Sequence, residues 1–164
     1  MWKTLPRYKT SNNIAYYRAG NGPTLLMIHG VGLRLESWAA QIQFLSKKFT
    51  VIAIDLPGHG ESNSLSMRSS NLDSYVEEIR LFADEVIEGS CTVIGHSLGA
   101  LIALSYADQY DQECDGIVAL NCIYQRTDED MRQVQLRSKK LATNAALSAV
   151  IKLTPSHIER RLVL

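Results

Sequence analysis

The 164-residue sequence has no excess of charge of either sign, because 17 Lys and Arg residues balance 17 Asp and Glu residues. A nucleic-acid-binding domain normally carries a strongly basic face, so we expect no nucleic-acid partner. Disordered chains combine high net charge with low apolar content, whereas 46% of these residues are hydrophobic. The composition therefore indicates a globular protein.

Long apolar runs are also missing. A membrane-spanning helix needs about 20 consecutive apolar residues, and the longest apolar stretches here, such as Leu25–Ile28 and Val51–Ile54, have the length of a β-strand. The N-terminal residues MWKTLPRYKT contain no apolar segment of the kind found in secretory signals. These observations predict a cytoplasmic protein with no membrane partner.

Cysteine is scarce, and the three that occur, Cys91, Cys114 and Cys122, have no CxxC spacing. An odd number favours free thiols in a reducing compartment over a disulfide framework. The His and Cys residues lack the spacing of a zinc site, and the glycines do not form a phosphate loop of the G-x-x-x-x-G-K type. The sequence therefore predicts no metal and no cofactor.

Short apolar runs alternate with segments of helical spacing. The four runs are Thr24–His29, Thr50–Asp55, Cys91–Gly95 and Gly116–Asn121. Continuous runs rich in Val and Ile are typical of parallel strands that are buried on both faces. A more polar run, Ile14–Arg18, fits an outer antiparallel strand.

Apolar residues at helical spacing predict helices between these strands. The spacing indicates one helix over 38–45 and a longer one over 72–86, for which Ser70 and Asp73 form a capping signal. Residues 98–106 are apolar on nearly all sides, which predicts a central helix. Alternating strands and helices predict an α/β fold, in which a mostly parallel sheet carries helices on both faces.

The segment Gly95-His-Ser-Leu-Gly99 matches the pattern G-x-S-x-G. In this pattern the serine occupies a sharp turn from a strand into a helix, so that its hydroxyl stands clear of the sheet. The predicted strand before Gly95 and the predicted helix from Leu98 supply that context. Gly95 and Gly99 remove side chains that would crowd the turn, and the helix N-terminus offers free N–H groups beside Ser97.

A second small-residue segment, His29-Gly30-Val31-Gly32, follows the first buried strand. Small residues allow a backbone N–H to point toward the serine. An acyl-transfer enzyme needs two such donors, which form an oxyanion hole for the negative oxygen of the tetrahedral intermediate. The candidate donors are the N–H groups of Val31 and Leu98.

Together with Asp55-Leu-Pro-Gly-His-Gly-Glu-Ser62, these motifs have an order and spacing that resemble the α/β-hydrolase superfamily over about residues 10–125. The resemblance implies that Ser97 is the nucleophile, that Val31 and Leu98 form the oxyanion hole, and that 55–62 is a structural loop. It implies a small-molecule carboxylic ester or lactone as substrate. A serine nucleophile argues against the branches that use aspartate, the epoxide hydrolases and haloalkane dehalogenases.

A serine hydroxyl needs an adjacent base, and in this superfamily an acid and then a histidine follow the serine in the chain. His157 is the only histidine downstream of Ser97 and is the candidate base. It follows no strand-like run, however, so we interpret it as a packing or surface residue. Asp128 and Asp130 are the candidate acids, although their local sequence resembles the entry to a cap.

Because neither the base nor the acid is convincing, we expect these residues to be the N-terminal portion of a longer hydrolase. Residues 1–125 would form the core, truncated after about the sixth strand, and 126–164 the start of a helical cap. The run Gly116–Asn121 would then be an exposed edge through which the chain self-associates. The alternative is a non-catalytic binding or interaction protein that keeps the fold without a working triad.

Overall fold

A computed structural model of the chain describes residues 5–63 and 71–122. Its described part is built on a six-stranded sheet in the order β1-β2-β4-β3-β5-β6. The strands are β1 (Tyr8–Lys9), β2 (Ala15–Ala19), β3 (Thr24–Ile28), β4 (Thr50–Ile54), β5 (Cys91–His96) and β6 (Cys114–Leu120). Strands β3 to β6 are parallel, and β2 pairs antiparallel with β4 and β1. The predicted α/β fold with a mostly parallel sheet is confirmed, and β1 is an additional strand outside the predicted antiparallel one.

The helices of the described residues are α1 (Ala39–Leu45), α2 (Leu72–Val86) and α3 (Leu98–Gln109). Short 3₁₀ turns cover Leu35–Trp38, before α1, and Asp111–Glu113, before β6. The prediction that Ser70 caps α2 is wrong. Asn71 is the cap, since its backbone is extended and its side-chain oxygen accepts a 2.8 Å hydrogen bond from the Ser74 N–H.

The core lies on both faces of the sheet. On one face the side chains of β3 and β4 pack with α2 and α3, where Phe82, Ile102 and Tyr106 are fully buried. On the other face the alternate side chains of the same strands pack with Leu35 and Ile42. Burial on both faces explains why the central strands are continuous apolar runs.

The strand register determines where the site lies. Ile28 in β3 pairs with Ile54 on one side and with Gly95 on the other. The segments that follow these three parallel strands therefore leave the sheet at one edge, close to one another. In open α/β sheets, ligands bind at this carboxyl edge where neighbouring connections diverge.

Strand β6 forms one edge of the described sheet and pairs there with β5 only. Unlike the central strands, β6 is not buried on both faces: its side chains Ile117, Val118 and Leu120 are each about 40% exposed. An apolar edge strand has backbone groups available for pairing with another chain.

We expect the purified chain to elute as oligomers in size-exclusion chromatography at micromolar concentration. Val118→Lys should shift it toward the monomer, because a charged side chain on an edge strand opposes strand pairing. Leu81→Lys, at an exposed position on α2, is the matched control and should leave the elution unchanged. A monodisperse wild-type monomer would contradict this prediction.

Candidate active site

Ser97 alone forms the turn between β5, which ends at His96, and α3, which begins at Leu98. Its backbone has φ 54° and ψ −112°, and a positive φ is rare and strained in a residue with a Cβ. The Ser97 N–H donates to the Leu120 carbonyl of β6 at 2.9 Å. The turn is therefore held by both the neighbouring strand and the helix, with the Ser97 side chain half-buried at the carboxyl edge.

Glycines 95 and 99 allow this turn to pack against the sheet. A Cβ on Gly95 would lie 2.1 Å from the Gly99 carbonyl oxygen, and a Cβ on Gly99 would lie 2.2 Å from the Ile28 carbonyl oxygen. Both contacts are with backbone atoms and far shorter than any real Cβ contact. The first turn of α3 therefore approaches β5 and β3 too closely for a side chain at either position.

The loop after β3 runs directly beside the turn. A Cβ on Gly30 would lie 3.1 Å from the Ser97 Cβ, so the glycine permits this close approach. In the described part of the chain, neither the Val31 N–H nor the Leu98 N–H has a hydrogen-bond partner. Leu98 also begins α3, whose N-terminal end carries a partial positive charge. The loop after β3 and the N-terminus of α3 therefore both lie beside Ser97.

The Ser97 hydroxyl itself has no hydrogen-bond partner within residues 5–63 and 71–122. None of the histidines in those ranges is bonded to it. The candidate base His157 and the candidate acids Asp128 and Asp130 lie outside the described residues, as does the predicted cap segment. The described residues thus bring Ser97 close to the loop that contains Val31 and next to Leu98, and none of them is bonded to its hydroxyl as a base.

His29 is fully buried at the end of β3. Its Nδ1 is 2.7 Å from the Gly30 carbonyl oxygen, to which it donates, and its Nε2 accepts from the Leu56 N–H at 3.0 Å. Burial lowers the pKa of His29 to about 4, although the Gly30 carbonyl acts in the opposite direction. The ring is therefore neutral, and both of its nitrogens are in use.

Protonation of His29 should make the fold sensitive to mild acid. The unfolded chain binds this proton at the ordinary pKa of 6.5, whereas the folded chain binds it only near 4. As pH falls from 6.5 to 4 the unfolded state is protonated first, so the free energy of unfolding falls by roughly 3 kcal/mol at most. The other titratable groups near the ring are His59, Asp55 and Glu36.

Urea unfolding at several pH values tests this. Burial lowers the pKa of His59 as well, but that contribution is present in both the wild type and a His29→Asn variant. We expect a shallower loss of stability in the variant between pH 6.5 and 4. Parallel curves for the two proteins would contradict the assignment to His29.

A buried cluster of charged side chains contacts Leu35, where the loop after β3 ends. Arg7 donates to Asp55 at 2.9 Å and to Glu36 at 2.8 Å, and all three side chains are at most 3% exposed. Asp55 Oδ1 also accepts from the Leu35 N–H at 2.7 Å. Burial by itself would raise the pKa of Glu36, but hydrogen bonds from Arg7, the Leu5 N–H and Arg34 lower it to about 2.

Sequence reasoning missed Arg7 and Glu36. Arg7 is 29 residues from Glu36 and 48 from Asp55 along the chain, and no local pattern connects such positions. The sequence predicts that 55–62 is a structural loop. In the structure the Asp55 carboxylate pairs with Arg7 and accepts hydrogen bonds from the Leu35 and Glu61 N–H groups. Within the described ranges, no three potential ligand side chains are grouped as a metal site.

The amino-acid sequence of this chain matches one protein family. Residues 23–157 match the family model described as alpha/beta hydrolase fold. The chain is 33% identical, over 130 residues, to (E)-2-((N-methylformamido)methylene)succinate hydrolase of Acinetobacter baylyi, covering 77% of this chain and 48% of the relative. It is 34% identical, over 112 residues, to pimeloyl-[acyl-carrier protein] methyl ester esterase of Nitrosomonas europaea, covering 66% and 42%.

Among solved structures, E-2-(acetamidomethylene)succinate hydrolase superposes with a TM-score of 0.75 at 24% identity, covering 82% of this chain and 50% of that one. The fold and the family-model match define the class: the chain belongs to the alpha/beta hydrolase fold family. It spans about half the length of the relatives it matches. No helix in the described ranges is both long and apolar enough to cross a membrane.

Proposed function

We propose that this chain carries the nucleophile and oxyanion hole of a cytoplasmic serine hydrolase that cleaves a carboxylic ester or lactone. The observation that carries the proposal is the position of Ser97, on a strained turn where α3 begins and where Gly30, next to Val31, approaches closely. Within the described residues the N–H groups of Val31 and Leu98 have no hydrogen-bond partner. A methyl ester esterase among the relatives supports an ester as the substrate class.

In the proposed reaction, the Ser97 oxygen attacks the ester carbonyl carbon and gives its proton to a base. The carbonyl oxygen becomes negative and accepts hydrogen bonds from the Val31 and Leu98 N–H groups. The intermediate then collapses to an acyl-enzyme, and the leaving alkoxide takes up the proton. Water attacks the acyl-enzyme in the second half of the reaction and releases the acid.

The candidate base and acids of this reaction lie outside the described residues. His157 is the candidate base within the chain, with Asp128 or Asp130 as the acid that orients it. The sequence argues against all three, so we expect the 164-residue chain to acylate slowly and to show negligible turnover. Residual acceleration from an oxyanion hole and substrate binding alone is about 10³–10⁴ over water in proteases stripped of their triad.

Acylation by p-nitrophenyl acetate, followed by mass spectrometry of the intact and digested chain, tests the proposal. We expect a slowly formed acetyl adduct on Ser97, absent from Ser97→Ala and unchanged in His157→Ala. Ser105→Ala is the matched control, since Ser105 is also half-buried but lies within α3. Fast turnover that His157→Ala abolishes would identify His157 as the base, and acetylation without any preference for Ser97 would contradict the proposal.

The second candidate function is a non-catalytic binding or interaction protein. The observation that favours it is the Ser97 hydroxyl, which has no hydrogen-bond partner in the described part of the chain. In that case the carboxyl edge of the sheet would still bind a small molecule, but Ser97 would react no faster than Ser105.

A further inference from the structure

The direction of the Val31 N–H depends on the peptide group that links it to Gly30. The chain has no cis peptide bonds among the described residues, so this group is planar and trans. Its C=O and N–H therefore point in opposite directions. Whatever holds the Gly30 carbonyl in place also sets the direction in which the Val31 N–H points.

Two donors hold the Gly30 carbonyl oxygen. One is the Leu33 N–H at 3.2 Å, which closes the turn of the loop itself. The other is the His29 Nδ1, at the shorter distance of 2.7 Å. Because Leu33 is exposed and belongs to the same loop, the bond from the buried His29 is the one that ties this carbonyl to the core.

The opposite side of the His29 ring determines its tautomer. Nε2 accepts from the Leu56 N–H at 3.0 Å, and a nitrogen that accepts cannot carry the proton of a neutral ring. The proton therefore resides on Nδ1, where it can bind the Gly30 carbonyl. The ring also lies edge-on to His59, at 5.3 Å between centroids, so its surroundings restrict its rotation.

From these contacts we propose that His29 is a positioning residue for the oxyanion hole: through the Gly30 carbonyl, it directs the Val31 N–H toward the oxygen of the reacting ester. This inference rests on the proposed function of Ser97 and Val31. His29 does not bond to Ser97 and acts only through the peptide group. The hydrogen bond from the Leu56 N–H joins the same ring to the segment after β4. His29 therefore connects the segments that follow β3 and β4.

Two variants of His29 distinguish the hydrogen bond at Nδ1 from the one at Nε2, because each is expected to keep only one of them. In His29→Asn the side-chain amide nitrogen lies near the former Nδ1 and can still donate to the Gly30 carbonyl. In His29→Gln the longer side chain places its oxygen near the former Nε2, where it can accept from the Leu56 N–H. A role limited to stability would make reactivity follow the melting temperature in both variants.

We expect the Asn variant to keep the wild-type amide ¹H and ¹⁵N shifts of Val31 and the wild-type rate of Ser97 modification by a fluorophosphonate, to within about threefold. The Gln variant should shift the Val31 amide and slow that modification roughly tenfold or more, since loss of one oxyanion donor costs about 10²–10³ in other enzymes. Equal rates in the two variants, or rates that simply follow melting temperature, would overturn the proposal.

Ring ¹⁵N NMR of the wild-type chain tests the proposal without any variant. We expect one protonated Nδ1 and one unprotonated Nε2 at pH 7, and a proton on Nε2 would overturn the inference. If Ser97 is not modified at all, the proposed function fails. The NMR measurements would still show whether His29 holds the Gly30–Val31 peptide.

Discussion

Replacing Gly99 with alanine is expected to destabilise the chain by about 3 kcal/mol or more, or to prevent it from folding. The added Cβ would lie 2.2 Å from the Ile28 carbonyl oxygen and 2.7 Å from the His29 carbonyl oxygen. Both are backbone atoms at the end of a central strand, so neither can move without disturbing the sheet. Relief would require α3 to withdraw and carry Ser97 with it.

Gly116→Ala is the matched control, because a Cβ there has ordinary contacts, with the nearest atom of Thr92 at 3.8 Å. Gly116 also lies in a strand, where alanine is at least as favourable as glycine. Urea unfolding of the two variants should therefore give very different midpoints. Similar stability of the Gly99 and Gly116 variants would mean that the turn does not pack as described.

Replacing Arg7 with methionine should cost about 3–5 kcal/mol, because it leaves the buried Asp55 carboxylate without its cation and the buried Glu36 carboxylate with the half-exposed Arg34 alone. The control is Arg18→Met, at an exposed position on β2, which should change stability by no more than about 0.5 kcal/mol. Chemical denaturation at pH 7 compares the two. A loss below 1 kcal/mol in the Arg7 variant would contradict the role of the cluster.

Acid provides a second check on the same cluster. The pKa of Glu36 is about 2 in the folded chain and ordinarily 4.5, so its contribution to stability is complete above pH 4.5 and is lost as pH falls toward 2. The Arg7 variant lacks the largest of the interactions that lower this pKa. The difference in unfolding free energy between the wild type and the variant should therefore shrink below pH 4.5.

The sheet and the serine turn could be predicted from the sequence because both depend on neighbouring residues. A strand buried on two faces needs a continuous apolar run, as in Thr24–Ile28, and the strained turn at Ser97 needs glycine two positions away on either side. Helix α2 was predicted for the same reason, although its cap is Asn71. Strand β6 is also an apolar run, but it lies at the edge of the described sheet and is partly exposed, as expected for a truncated core.

The side chains that hold the loop after β3 in place could not be predicted in this way. Arg7, Glu36 and Asp55 meet because the paired strands β1, β2, β4 and β3 bring them together, and a single sequence carries no sign of that contact. His29 begins the small-residue segment after the first buried strand, but no sequence pattern indicates what its ring contacts. Its link from the Gly30 carbonyl to the Leu56 N–H depends on the register of β3 with β4.

We propose that Ser97 reacts as a nucleophile beside the N–H groups of Val31 and Leu98, which have no hydrogen-bond partner in the described part of the chain. The most direct measurement is the rate of fluorophosphonate modification at Ser97 relative to Ser105, site-mapped by mass spectrometry from pH 6 to 10. We predict selective modification of Ser97 that keeps rising with pH, because none of the described residues is bonded to its hydroxyl as a base and hydroxide can remove the proton instead. A plateau near neutral pH would instead reveal a histidine base within the chain. Modification of Ser97 no faster than of Ser105 at every pH would contradict the account.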